Sequence, residues 1–144
     1  MDTAMNQKER MLAGLPYKAW LDGLTEEREE NKKRIYRYNN TPPEQGEELG
    51  ALIREIIGKC GKNIFIEPPF RCDYGSNIEV GENFFANYNL TILDVGKVTI
   101  GKNAQIAPNV SIFTAGHPVH PDSRNSGYEY GISVTIGANV WLGG

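Results

Sequence analysis

Two cysteines, two histidines, two tryptophans and three methionines are all that the 144 residues hold of these types. Cys60 and Cys72 stand in no CxxC spacing. A Cys60–Cys72 bridge stays open on count alone, but so sparse a set argues for reduced, structural cysteines and a cytoplasmic location. No apolar run approaches the roughly 18 residues that would span a bilayer, which excludes a membrane partner of that kind. The first residues, with Asp2, Lys8, Glu9 and Arg10, lack the apolar core of a signal peptide. There is no basic excess either. The net charge is −3, and no basic stripe interleaves with aromatics, so a general nucleic-acid partner is not expected.

What the chain does have is a recurring four-residue signature: Val80-Gly81-Glu82-Asn83, Ile100-Gly101-Lys102-Asn103 and Ile136-Gly137-Ala138-Asn139. Counting on in sixes from Ile100 reaches Ile106 and Ile112, with Ala104 and Val110 as second apolar positions. A period of six matches neither the 3.6 of a helix nor the alternation of a long strand. It fits short strands joined by turns, three to a coil of about eighteen residues, stacked as a parallel β-helix. Glycine and asparagine suit the corners, where a β-branched residue would resist the conformation. From Val80 to Ile100 is twenty residues, eighteen plus a two-residue irregularity, and from Ile100 to Ile136 is thirty-six, a multiple of six. The pattern lapses between about 114 and 133, the segment that contains both histidines. That segment reads as a loop thrown out of the coil, the usual place for chemistry on a rigid scaffold.

The expected organisation is an N-terminal helical cap over 1–60 and a hexapeptide-repeat β-helix over 61–144. Residues 1–10 read as a loosely held start. Thr25 is placed to cap a helix opening with Glu26 and Glu27 and running to about Tyr38. Leu49, Leu52, Ile53 and Ile56 put an apolar stripe on a second helix between about Glu44 and Gly58. The tract stops mid-repeat at Val140-Trp141-Leu142-Gly143-Gly144 and reads as truncated at the C-terminus, short of a terminal cap.

Phe70-Arg71-Cys72-Asp73-Tyr74-Gly75, Asn83-Phe84-Phe85-Ala86-Asn87-Tyr88-Asn89, Thr114-Ala115-Gly116-His117-Pro118 and Asn125-Ser126-Gly127 resemble the maltose and galactoside O-acetyltransferases. The leading Met11-Leu12-Ala13-Gly14 and Tyr17 resemble that family too, and Leu93-Asp94-Val95 resembles the maltose type more than the galactoside type. The resemblance implies a mainly β fold, a left-handed parallel β-helix with a short helical region and a protruding loop. It implies a homotrimer with sites between subunits, and acetyl transfer from acetyl-CoA to a hydroxyl of a maltose- or glucose-type sugar, with no metal. His117 takes the family's catalytic position. An imidazole suits the task because it titrates near neutrality, and a sugar hydroxyl needs its proton removed as it attacks a thioester. Asn87 is expected near the reacting carbonyl, and Glu129 as a partner of the imidazolium or the sugar. Asp73, Asp94 and Tyr17 are expected to meet the sugar, with a coil-corner hydrogen bond as the competing role of either aspartate, and Trp141 to pack on the arm of CoA, with core or subunit packing as its alternative.

His120 reads as accessory, and Arg124 as a residue that holds the loop. A zinc enzyme on the same scaffold would want three histidines, and the chain has two. The other alternative is a non-catalytic β-helix scaffold or an inactive truncated homologue.

Overall fold

The computed structural model describes residues 4–144. Before the coil come α1 (Gln7–Leu12), β1 (Tyr17–Lys18), α2 (Leu24–Asn39) and α3 (Gly46–Ile56). The coil strands follow: β2 (Lys59–Cys60), β3 (Ile64–Ile66), β4 (Phe70–Cys72), β5 (Ile78–Val80), β6 (Phe84–Ala86), β7 (Leu90–Leu93), β8 (Val98–Ile100), β9 (Gln105–Ile106) and β10 (Ser111–Phe113). A protruding segment holds β11 (Ala115–Gly116), α4 (Pro121–Asn125) and β12 (Tyr128–Gly131), after which β13 (Val134–Ile136) and β14 (Trp141–Leu142) resume the coil.

Among the described residues the coil strands make three parallel sheets, ordered β2-β5-β8-β13, β3-β6-β9-β14 and β4-β7-β10. Each sheet is one wall of a triangular prism. The register steps by twenty, not by the eighteen expected. Glu79 lies on Thr99, Phe85 on Gln105 and Thr91 on Ser111. The inward positions explain why: Cys60, Ile66, Cys72, Val80, Ala86, Ile92, Ile100, Ile106 and Ile112 are spaced six, six and eight, repeatedly. Two extra residues therefore sit at one corner in every coil, between the β4-β7-β10 wall and the β2-β5-β8-β13 wall. From Ile112 the next inward step, to Ile136, is twenty-four. The protruding segment is spliced into the corner that is already wide.

The signature motif acts at a different corner. Asn63, Asn83, Asn103 and Asn139 all hold positive φ, between 57° and 59°. Their side chains form a ladder, Asn63 Nδ2 donating to Asn83 Oδ1, Asn83 to Asn103 and Asn103 to Asn139, at 2.9–3.0 Å. Asparagine tolerates this left-handed conformation, and its amide carries one donor and one acceptor to the neighbouring coils. The preceding glycine is steric: a Cβ on Gly101 would lie 2.7 Å from the Ala138 amide nitrogen.

The N-terminal helices close one end of the prism. Ile35, Tyr38, Leu49, Leu52, Ile53 and Ile56 share a single core with the inward coil residues. Asparagines on α2 substitute for a missing strand beside β4. Asn39 accepts from Phe70 N and donates to Phe70 O, both at 2.9 Å, and Tyr38 Oη donates to Ile66 O. The edge of the wall is thereby covered, which removes a template for unwanted pairing.

Three expectations need correction. The start is not loose within the described residues, because α1 forms there with Asn6 Oδ1 accepting from Glu9 N at 2.8 Å; residues 1–3 lie outside them. Thr25 is not the cap of α2, which begins at Leu24 after Gly23 in the left-handed region at φ 83°, without a side-chain cap. The second helix is shorter than expected, Gly46–Ile56, with Ile57 rather than Gly58 turning extended at its end. Cys60 and Cys72 are both free, so no bridge joins them.

Asn103→Val should destabilise the coil by about 2 kcal/mol, from left-handed strain on a β-branched residue and the loss of two ladder bonds. A urea midpoint within error of the parent's would show that the ladder contributes nothing.

Candidate active site

The protruding segment folds back as a small antiparallel sheet, β1-β12-β11. Tyr17 faces Glu129 across β1 and β12, and Gly116 faces Tyr130 across β11 and β12. The ladder ends at that pair, and His117 follows β11 directly, one residue beyond it. Tyr17 and Glu129 form a cross-strand row that the His117 end of β11 adjoins, and directly opposed side chains in an antiparallel pair lie on the same face. Tyr17 and Glu129 are 112 positions apart in sequence. A second apolar cluster of Met11, Tyr17, Leu24, Tyr74 and Val95 holds this lobe on the wide corner. Gly116 lets the Tyr130 ring lie against the backbone beside the histidine, since a Cβ there would lie 2.6 Å from that ring.

His117 is exposed and Glu129 half-buried at the mouth of the lobe. His120 is a helix cap, its Nδ1 accepting from Asp122 N at 3.3 Å. Arg124 Nη1 donates to Val119 O at 2.9 Å and Pro118 O at 3.3 Å, fixing the turn that follows His117. Among the described residues, no three His, Cys, Asp or Glu side chains converge as metal ligands.

Two of the expected sugar contacts are corrected by burial. Tyr17 is fully buried, and its hydroxyl has no hydrogen-bond partner. Burial, then the Glu129 carboxylate beside it, pushes the phenol well above its ordinary range. Asp94 is likewise fully buried. Its Oδ1 accepts from Asp73 N at 3.0 Å and Tyr74 N at 2.9 Å, and its Oδ2 from Asn77 N at 3.3 Å. Asn77 Nδ2 returns a bond to Asp94 O at 2.7 Å. The carboxylate fills the wide corner and joins two coils, leaving no face for a ligand. One coil on, Thr114 Oγ1 does similar work, donating to Leu93 O and accepting from Gly96 N.

Asp73 is different. It is half-buried at the edge of the lobe, and burial raises its carboxyl while the Arg28 guanidinium lowers it. Arg28 carries no signature in the sequence and is the residue the motif reading misses. Its Nη1 donates to Tyr74 Oη at 2.6 Å, and its guanidinium stands over that ring at 5.7 Å. The available signal was a helical stripe of Leu24, Arg28, Asn31, Ile35 and Tyr38, with polar residues on the inward face of α2.

Asn87 and Trp141 lie elsewhere. Asn87 follows β6, and Trp141 stands on β14, 80% exposed, in register with Gln105 and, through it, Phe85 and Phe65. The rings of Phe65 and Phe85 stack at 6.2 Å. This aromatic outer face is separated from the histidine lobe by the width of β7. Asn87 stands at the corner before β7, where Asn89 turns left-handed at φ 65°, and Asp94 at the corner after it. Asn87 follows the β3-β6-β9-β14 wall and His117 the β4-β7-β10 wall, so the two leave the prism at different corners.

Residues 10–61 match the maltose acetyltransferase hexapeptide capping motif. The galactoside O-acetyltransferase of Escherichia coli K12 is 45% identical over 139 residues, covering 96% of this chain and 68% of that protein. The chain belongs to the maltose and galactoside O-acetyltransferase family. A crystal structure of a maltose O-acetyltransferase from Clostridium difficile 630 superposes with a TM-score of 0.96 at 51% identity, over 99% of this chain and 76% of that one. A galactoside acetyltransferase in complex with coenzyme A gives 0.92 at 44%, over 96% and 69%. The fold is accordingly the left-handed parallel β-helix of hexapeptide-repeat acetyltransferases, one of the exceptions to right-handed crossover. The chain is an acetyltransferase of that family.

Burial pushes the Asp94 carboxyl up to about 7, against the pull of the Tyr74 amide and with a further push from Asp73. An unfolded aspartate titrates near 3.9. Between those values the folded chain keeps a proton that the unfolded chain has lost, so stability falls as pH rises through the window. Asp94→Asn should flatten the fall in Tm between about pH 4 and about pH 7. A slope equal to the parent's would assign the titration to another group.

Proposed function

We propose that this acetyltransferase moves the acetyl group of acetyl-CoA to a hydroxyl of a maltose- or glucose-type sugar, with His117 as general base. The lobe supports this reading best: an exposed imidazole directly follows β11, beside the strand that carries the Glu129 carboxylate and is paired on both sides. In the proposed step His117 takes the proton of the sugar hydroxyl as its oxygen bonds to the acetyl carbon. The bond from that carbon to sulfur then breaks, and the imidazolium returns the proton to the departing thiolate. Glu129 accepts a hydrogen bond from the second ring nitrogen, which orients the imidazole and stabilises its charged form. Asp73 accepts from a sugar hydroxyl. Tyr17 and Asp94 act beneath the surface, Tyr17 by pairing with the Glu129 strand and Asp94 by aiming the Asp73 corner.

The remaining parts come from a second copy. The placement of Asn87 and the histidine lobe at different corners of the prism supports a homotrimer in which the loop of one copy meets the aromatic wall of the next. There Asn87 donates to the developing oxyanion. The exposed Trp141, in line with Phe85 and Phe65, offers a flat apolar strip suited to the pantetheine arm. Acetyl-CoA supplies the activated acetyl group. Two free cysteines fit a reducing, cytoplasmic setting.

Acetyl transfer to a sugar panel, followed by mass spectrometry, tests the reading. The parent should acetylate a glucose-type acceptor, and His117→Ala should reduce kcat by about 10²–10⁴-fold while acetyl-CoA still binds. Full activity in His117→Ala would remove the base, and absence of any acetylated sugar from the parent would remove the acceptor class.

A further inference from the structure

A groove of about 560 Å³ runs between α2 and the outer face of the β4-β7-β10 wall. It lies outside the cross-strand row, and no role proposed above uses it except at one end. That end is Asp73, which also borders the lobe, since its carboxyl feels both Arg28 and Glu129. Away from Asp73 the groove has a partly apolar floor of Ile35 and Leu93, and polar walls that include Lys32, Arg71 and Thr91. Tyr36 stands over it, 69% exposed.

We infer that this groove is a second saccharide subsite, taking the sugar ring next to the one that is acetylated; the inference rests on the acceptor class proposed above. Its volume is within the range of small-ligand sites, about 300–1,000 Å³, and its mixture of apolar floor and sparse polar groups is what such sites present. A pyranose ring has one face of C–H groups and a rim of hydroxyls. An exposed phenol ring meets the face, and lysine, arginine and threonine side chains meet the rim. Apolar ligands would leave those charged walls unpaired, and a compact anion would gain nothing from Tyr36. The groove does not stand apart from the lobe, because Asp73 belongs to both. A hydroxyl held by Asp73 places the first ring toward His117 and the second along α2. Within the acceptor class, a disaccharide or longer glycoside is therefore preferred over a free hexose.

Calorimetric titration with glucose, maltose and maltotriose tests this, together with acetylation rates on the same three sugars. Maltose should bind at least about tenfold more tightly than glucose, with the gain in KM rather than kcat, and maltotriose should add little. Tyr36→Ala should erase the gain and leave glucose unchanged. Arg71→Ala, on the opposite wall, should reduce it partially. Equal affinity for all three sugars, with glucose still bound and acetylated, would overturn the subsite and leave the acceptor class standing. No binding of any sugar would overturn both. A shift in sedimentation of Tyr36→Ala toward smaller assemblies, with sugar selectivity unchanged, would assign the groove to contact between copies and so also overturn the subsite.

Discussion

Coil-to-coil backbone hydrogen bonding sets the distance between layers of this protein, and nearly every other feature is an accommodation to that distance. At the Gly101 corner the next coil passes so close that a single Cβ does not fit. At the neighbouring position the chain must turn left-handed, and asparagine does so while linking the layers through its own amide. The same spacing, applied to the inward residues, stacks isoleucine, valine and alanine into a continuous core. Stability in such a prism is nearest-neighbour in character, each layer holding the next.

The wide corner turns that architecture into a site. Two additional residues per coil open it, and a buried carboxylate fills the space by accepting three backbone amides from the layer before. Isolated, a carboxylate in this position would be costly to bury; with three donors it becomes the joint between layers. The third layer replaces the acid with Thr114 and lets the chain leave. The histidine segment thus departs from the best-anchored edge of the prism and not from a slack turn. Its return strand is covered by the N-terminal β1, and Tyr17 is sealed beneath it.

Much of this could be read from the residues. The aliphatic-glycine-x-asparagine signature marked layers whose physical reason, crowding at one corner, is visible in the structure. The break in period marked the segment that carries His117. The twenty-residue layer was less legible, because its two additional positions hold ordinary polar residues that look like a local irregularity between Val80 and Ile100. Asp94 and Tyr17 were located but given the wrong exposure: nothing in a linear pattern distinguishes an acid that meets a ligand from one that meets backbone amides. Arg28 was invisible as a motif, since its partner Tyr74 is 46 residues away. The six-residue α1 is too short for helical periodicity to declare itself, and only its cap at Asn6 hints at it. Asn87 and His117 share a site by resemblance alone; in the fold they follow different walls of the prism.

The antiparallel pairing of β1 with β12 also ties two distant parts of the chain into one local stability. Only two residue pairs join the strands, Tyr17 with Glu129 and Lys18 with Tyr128. With so few ladder bonds, the closure of this pair depends on the buried cluster of Met11, Tyr17, Leu24, Tyr74 and Val95 beneath it. Whatever pulls on the N-terminal arm, a fusion partner, a protease or a competing peptide edge, is therefore mechanically coupled to the face that carries the imidazole. The arm functions as a latch on that face, set some hundred residues upstream of the group it steadies.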